Sequence, residues 1–476
     1  MLTGTAFGDS RLSFWLRVRD VAVPPSMIET ATARRTAGDW AGACAAAGVD
    51  VDLDLRTVTR VHGSGTAARI RADLRRLAPD LLRWHMPRTA PGGFLRPGTA
   101  LTLARYDEPG RAGPVHLVVR TAPAWADAGQ RISLAVQDGH DPAGLDGGPA
   151  GRYRTPDRRF RLDLHRHLWD ASRSAELRSR SGADGPPGDH GSPAPAPPWA
   201  WPVPGPERFA LDRWADEAAL LLAAEGRPGG GRVSVRVGAR RRVLLDVRVS
   251  PGASGAGGGT AEVRSAEVVL ASARTGLPVL PDAATWVLPD LALLRSGSIG
   301  ADRLHPLVAA ALAPGGQPPA GSGVDADGLA PPRVVDCRGA RHRIALVDGE
   351  LVALDHGPAE IRREELLAAL TGTPLPCLQA IDAAHRRPDG LTDIRDRLEH
   401  GDTAGALARI EDLVGTGARL REGDLRDMLR DAAQQRVAYG LFRAGLADPR
   451  PKEGPRERAR FRAGVHRSRP RQAFYH

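Results

Sequence analysis

Residues 181–206 carry nine prolines in twenty-six positions, ending in the run SPAPAPPWAWPVPGP. Each proline fixes its own φ and removes a backbone donor, so such a stretch favours extended polyproline II and cannot itself lay down a core. A second Pro/Gly-rich stretch covers 314–332. At 476 residues the chain exceeds what one core commonly organises, roughly 250 residues. The expected layout is therefore multidomain α+β, with small mixed modules: an N-terminal domain over 1–180, a linker over 181–206, a middle domain over 207–313, a linker over 314–332, a hairpin-plus-helices domain over 333–447, and a basic tail over 448–476.

The clearest local signal lies in the third segment, RHRIALVDGELVALDHGPAEIRREELLAALT at 341–371. Ile344–Val347 and Leu351–Leu354 flank Asp348-Gly349, and Asp-Gly supplies the positive φ angles of a two-residue hairpin turn. Pro358 suits the first turn of a helix. Ile361, Leu366, Leu367 and Leu370 give that helix an apolar face. Further on, Gly401-Asp402 and Gly423-Asp424 each break and recap a helix. GDTAGA at 401–406 echoes GDWAGA at 38–43, which reads as one local solution used twice.

In the first segment, 11–23 alternates well enough to predict a strand. Ser26-Met27-Ile28-Glu29 has the form of a capping box, with a helix to about Thr36. Trp40–Ala47 forms a second helix and Val49–Leu55 a half-buried strand with an acidic face. Helices follow around Ile70, Leu74 and Leu77 and from Pro79. Three strands are expected in 94–137 and a short one at Arg159–Leu164. The middle segment predicts a helix at Leu211–Ala224, a hairpin that sets Val233, Val235 and Val237 against Val243, Leu245 and Val247, a strand at 262–271, and short helices at Pro289–Arg295 and Ala301–Leu312.

Composition bounds the function. Of 66 basic residues only Lys452 is lysine, and there is no asparagine, the mark of a high-GC genome. Arginine is then the default cation, which weakens any step from arginine content to nucleic acid. The net charge of +10 still permits an anionic partner. Cys44, Cys337 and Cys377 form no CxxC pair and no disulfide framework, pointing to a reducing cytoplasm. No signal-peptide run and no apolar run of membrane-spanning length is present, so a cytoplasmic protein without membrane contact is expected.

Candidate chemistry is sparse. Asp163, His165 and His167 would share a strand face and could ligate a metal, but no fourth ligand is identifiable. Cys337 with His342 or His356 could pair a nucleophile and a base, yet a buried structural cysteine explains it as well. Asp355-His356 stands where a helix cap belongs. Arg240-Arg241-Arg242 at a hairpin tip could touch phosphates, although exposed tips are commonly charged. The tail holds nine basic and three acidic residues. In it Arg456, Arg458, Arg460, Arg462, Arg467, Arg469 and Arg471 are interleaved with Phe461 and Tyr475, the pairing required for phosphate contact plus base stacking. A disordered solubilising tail would look the same. Trp199 and Trp201, unusual in a proline linker, are candidate protein-contact residues. The P-loop, dinucleotide, nucleophile-elbow, HExxH and paired-CxxC patterns are all missing. No catalytic residue, cofactor or metal is assigned.

RRTAGDWAGACAAAGVDVDLDL (34–55), LHRHLWDASRSAELR (164–178), DRLHPLVAAALAP (302–314) and EIRREELLAALTG (360–372) resemble segments of uncharacterised proteins of high-GC actinobacteria. The resemblance implies a cytoplasmic protein of three small domains and brings no activity with it. The leading expectation is a non-enzymatic scaffold or adaptor with a protein partner. The alternatives are a nucleic-acid-binding accessory protein acting through the tail, and an enzyme with an unfamiliar active site.

Overall fold

The computed structural model describes residues 5–107, 113–138, 156–183, 203, 205, 208–250, 260–270, 276–314, 333–348, 350–372, 374–416 and 419–446. Trp199, Trp201 and the whole tail from 448 lie outside the described residues. The architecture is α+β. The chain groups into two compact units, one within Met1–Trp125 and Arg131–Pro319, the other within Ala126–Gln130 and Ala320–Ala447.

The first unit begins with α1 (Thr5–Ala22), where a strand was expected. Trp15, Val18 and Ala22 are buried together, as is Arg19. That i, i+3, i+4, i+7 spacing is helical, and it overrides the alternation of Leu12, Phe14 and Leu16. Next come α2 (Pro25–Thr36) and α3 (Trp40–Ala46). Pro25 takes the first helical position of α2 and pulls Ser26 inside the helix, so the expected capping box does not form. Then follow β1 (Val49–Val51), the helical stretch α4 (Leu55–Arg76), which is interrupted at Gly63, and α5 (Pro79–His85). The strand predicted to Leu55 stops early because Asp54 turns to cap α4, accepting from the amides of Arg56 and Thr57.

A small ribbon, β2 (Arg88–Thr89) with β3 (Phe94–Leu95), precedes β4 (Ala100–Tyr106), β5 (Val115–Thr121) and β6 (Ile132–Asp138). The sheet order is β1-β6-β5-β4, with β1 parallel to β6 and the other pairs antiparallel. Arg159–Leu164 makes one isolated bridge, Thr102 to Arg161, and then a 3-10 turn, so the expected strand is not formed. The chain continues through α6 (Leu177–Ser181) and α7 (Trp214–Ala224). It then enters the meander β7 (Gly230–Arg236), β8 (Arg241–Ser250) and β9 (Thr260–Leu270). Val233 pairs with Leu245 and Val235 with Val243, so the two apolar sets face each other as expected, with the register two residues from the one a turn at Gly238–Arg242 would give. α8 (Asp282–Thr285), α9 (Pro289–Arg295) and α10 (Pro306–Leu312) complete the unit.

Residues on both sides of 181–206 build one core, from Trp15, Ile70, Leu101, Leu134 and Trp169 to Trp214, Val235, Leu245, Leu293 and Val308. Buried polar links cross the same stretch. Asp290 accepts from Arg19 at 2.9 Å and from the Trp84 indole at 2.6 Å. Arg159 meets Asp282 at 2.6 Å, and His305 Nε2 meets Asp80 at 2.8 Å. The flanks of the proline-rich segment pack on each other, and the segment itself contributes Val203, 3% exposed, to that core.

The second unit opens with an antiparallel sheet in the order β10 (Arg333–Cys337), β11 (Ala340–Val347) and β12 (Glu350–Ala353). It continues with α11 (Pro358–Thr371), α12 (Pro376–Arg386), α13 (Leu391–His400), α14 (Thr403–Val414) and α15 (Asp424–Arg443). Val347 pairs with Glu350 and Asp348 takes φ 51°, as a tight hairpin there needs, while Gly349 lies outside the described residues. The corresponding turn between β10 and β11 is Arg338-Gly339, with φ 56° and 84°. Arg-Gly is a weaker turn signal than Asp-Gly, and the sequence alone does not announce β10. Two cores serve the unit. One joins Cys337, Ile344, Ala353, Leu375, Cys377 and Ile381, and the other joins Ile394, Leu398, Ala406, Ile410, Val414 and Leu425.

Candidate functional site

Strand parity builds the site. Cys337 pairs with Ala340, Val335 with His342 and Ile344 with Ala353. These residues therefore share one sheet face, because successive side chains alternate. Ile344 and Ala353 are buried on that face, which is the side that meets Cys377 and Ile381 of α12. Cys377 is the second residue of α12, after Pro376 at the first helical position. Its sulfur therefore sits where the free amides and the positive end of the helix dipole favour negative charge. His356 arrives from the corner between β12 and α11.

Four side chains from three places in the sequence thus converge. His342 Nδ1 lies 2.8 Å from His356 Nε2, Cys337 Sγ lies 3.6 Å from His356 Nε2, and Cys377 Sγ lies 3.9 Å from His342 Nδ1. One donor atom from each residue falls within 4.8 Å of all the others. Both cysteines are fully buried, and His356 is 9% exposed. The far nitrogen of His356, Nδ1, faces the Glu360 carboxylate at 3.3 Å, and this contact lowers the Glu360 pKa. Two sulfurs and two imidazole nitrogens could hold one divalent cation.

The same geometry argues against a nucleophile. A reactive cysteine needs a depressed pKa and access to substrate. Burial and the neighbouring Cys337 thiol instead push the Cys377 thiol up to about 11. Cys337 has no exposed surface.

Asp355-His356 does not cap α11. The N-cap is Gly357, without a side-chain bond. Asp355 instead accepts from the Arg343 amide at 2.6 Å and from its guanidinium at 2.8 Å, and these bonds hold its pKa down to about 2. That clamp ties the end of β12 to β11 and frees His356 to turn inward. α11 also departs from expectation. Its inward side carries Glu364, bound by Arg338 at 2.7 Å, while Leu366, Leu367 and Leu370 are 65%, 46% and 86% exposed.

The other candidates separate. His165 and His167 are buried on 3-10 turns of the first unit, edge to face at 5.8 Å, while Asp163 turns to Arg161. His165 stands beside the Arg180–Glu217 pair, with Nδ1 3.2 Å from Arg180 and 3.7 Å from Glu217. Arg240 and Arg241 are exposed at the hairpin tip. The tail arginines, Phe461, Tyr475, Trp199 and Trp201 fall outside the described residues.

Cys377 is the residue that sequence reasoning left unjoined. The available signal was density: two of the chain's three cysteines and two of its fourteen histidines lie within 337–377. Reading Arg338-Gly339 as a turn would have put Cys337 and His342 on one face. Among the described residues no helix is long and apolar enough to cross a membrane. No protein-family model, no curated protein and no solved structure matches the chain.

Proposed function

We propose that the chain is a non-enzymatic cytoplasmic scaffold or adaptor, and that its second unit carries the surface that docks a partner protein. The observation behind this is where exposed apolar side chains lie. Of the fourteen large hydrophobic residues exposed among the described residues, ten belong to the second unit, from Val334 to Leu446, although it is the smaller of the two. Isolated exposed apolar residues are ordinary, but an accumulation marks a contact surface. On α11, Leu366, Leu367 and Leu370 share the outward face with Arg362 and Arg363, which are also exposed. Three leucines following two arginines suit an amphipathic partner helix with acidic residues at one end. Cytoplasmic residence is supported by three free cysteines, all buried.

The test is a photo-crosslinking residue at Leu370 in the native host, followed by peptide mapping. The expected product joins Leu370 to an acidic, apolar helical segment of one other protein, and Leu366→Lys abolishes it. Because both leucines are exposed, Leu366→Lys should change stability by no more than about 0.5 kcal/mol. A product formed only with a second copy of this chain, or none at all, removes the adaptor reading.

A further inference from the structure

We propose that Cys337, His342, His356 and Cys377 bind one Zn²⁺ as a closed structural site that locks the β10–β12 sheet onto α12. The proposal goes beyond the docking surface and stands independently of it. It also revises the expectation of no metal.

Donor chemistry narrows the ion. Two thiolates with two imidazoles, placed around a common centre, suit a tetrahedral zinc ion and are a poor match for the all-oxygen preference of magnesium or calcium. With bonds of about 2.3 Å to sulfur and 2.1 Å to nitrogen, a tetrahedron has edges of roughly 3.3–3.8 Å. Two of the four sulfur–nitrogen separations, 3.6 and 3.9 Å, lie at or just beyond that range, and no two of the four donors are more than 4.8 Å apart. The 2.8 Å between the imidazole nitrogens is a hydrogen bond's length, and these rings must part by about half an ångström as the ion enters.

Charge and protons balance. Two thiols release their protons to solvent, hydrated zinc gives up its waters, and two thiolates neutralise the +2 ion. Each neutral imidazole donates the lone pair of its inward nitrogen, so the remaining ring proton sits on the other nitrogen. For His356 that is Nδ1, the atom facing Glu360 at 3.3 Å. A carboxylate this close to the far side of a ligating histidine is placed to accept its proton once the ring settles on the metal, which would fix the tautomer and ring orientation.

Location supplies the reason for the site. The apolar cluster here has six buried members, and two of them are the cysteines. So small a core holds a sheet to a helix weakly, and a metal that ties three segments together makes up the deficit. Four protein donors leave no open position, which makes the role structural.

The full-length chain, purified and stripped with a strong chelator, is titrated with Zn²⁺ or Co²⁺ alone. The expected result is one ion per chain by elemental analysis, and with Co²⁺ the intense visible absorption of a tetrahedral thiolate site. Hydrogen exchange on the stripped protein should rise in 333–386 and stay unchanged in the first unit. Cys337→Ser with Cys377→Ser should bring bound zinc from one per chain toward none. His342→Cys, which replaces one good zinc donor with another, should keep it, so loss of zinc in the serine variant is not mere misfolding. Substoichiometric metal in the wild type, a weak octahedral cobalt spectrum, or zinc retained by the double serine variant would each overturn the proposal.

Discussion

Gly42 and Gly405 lack a side chain where a Cβ would collide with the carboxylates of Asp39 and Asp402. Those carboxylates cap α3 and α14, accepting from the Gly42 amide at 2.8 Å and the Gly405 amide at 2.9 Å. The preceding glycines, Gly38 and Gly401, take φ 80° and 90°. The shared G-D-x-A-G-A string is thus a complete corner: glycine reverses the chain, aspartate caps, and a second glycine clears space for the cap. This is one local solution reached twice, in two different units. At Gly401 a Cβ would also strike the Gly129 carbonyl. Gly401→Val therefore adds a backbone clash to an unfavourable φ and should destabilise the second unit by at least about 1 kcal/mol in thermal melts. A melting temperature equal to wild type would mean that the corner relaxes without cost.

At the scale of elements, periodicity was legible wherever one face is buried and one is wet. The β7–β8 hairpin, α9 and the β11–β12 hairpin stand close to where the sequence puts them. It failed where two periods overlapped, as in α1, whose apolar residues fit both a strand and a helix until Trp15, Val18 and Ala22 are seen to be buried together. It failed differently in α11. The Leu366, Leu367 and Leu370 stripe is real, but it faces outward, and the sheet side is taken by Glu364 and Ile361. An apolar stripe reports that something will be covered, not which partner covers it. The sequence pairs Cys337 with His342 or His356, but the four-donor cluster is not legible in it because its members come from separate elements. Only the short Arg338-Gly339 turn, together with the placement of Cys377 in the first turn of α12, brings them together.

For the whole molecule, the proline-rich segment suggested a domain limit at a place where the core runs straight across. A protease site engineered at 190–195 in the intact protein should therefore give two fragments that elute together under native conditions and part only in denaturant. Separation without denaturant would mean that the shared core does not hold them.

The same core predicts an acid sensitivity. His85, 5% exposed, and His165, 2% exposed, are buried in the first unit, and desolvation lowers each from an ordinary 6.5 to about 4. Asp290 opposes the shift at His85, while His305, Arg19 and Arg88 add to it. At His165, Glu217 and Asp163 oppose the shift, and Arg180 and Arg161 add to it. Both histidines are neutral in the folded state at pH values where the unfolded chain binds protons, so stability is fully present above about 6.5 and falls as pH drops toward 4. The drop is worth roughly 3 kcal/mol for each group at most, from about 1.4 kcal/mol per unit. Denaturant melts followed by tryptophan fluorescence, to which Trp15, Trp84, Trp169, Trp214 and Trp286 contribute as buried rings of this core, should show the loss between pH 6.5 and 4. His85→Gln with His165→Gln should reduce that dependence without abolishing it, since buried His167 and half-buried His116 are shifted the same way. An unchanged slope in the double variant would assign the acid loss to other groups.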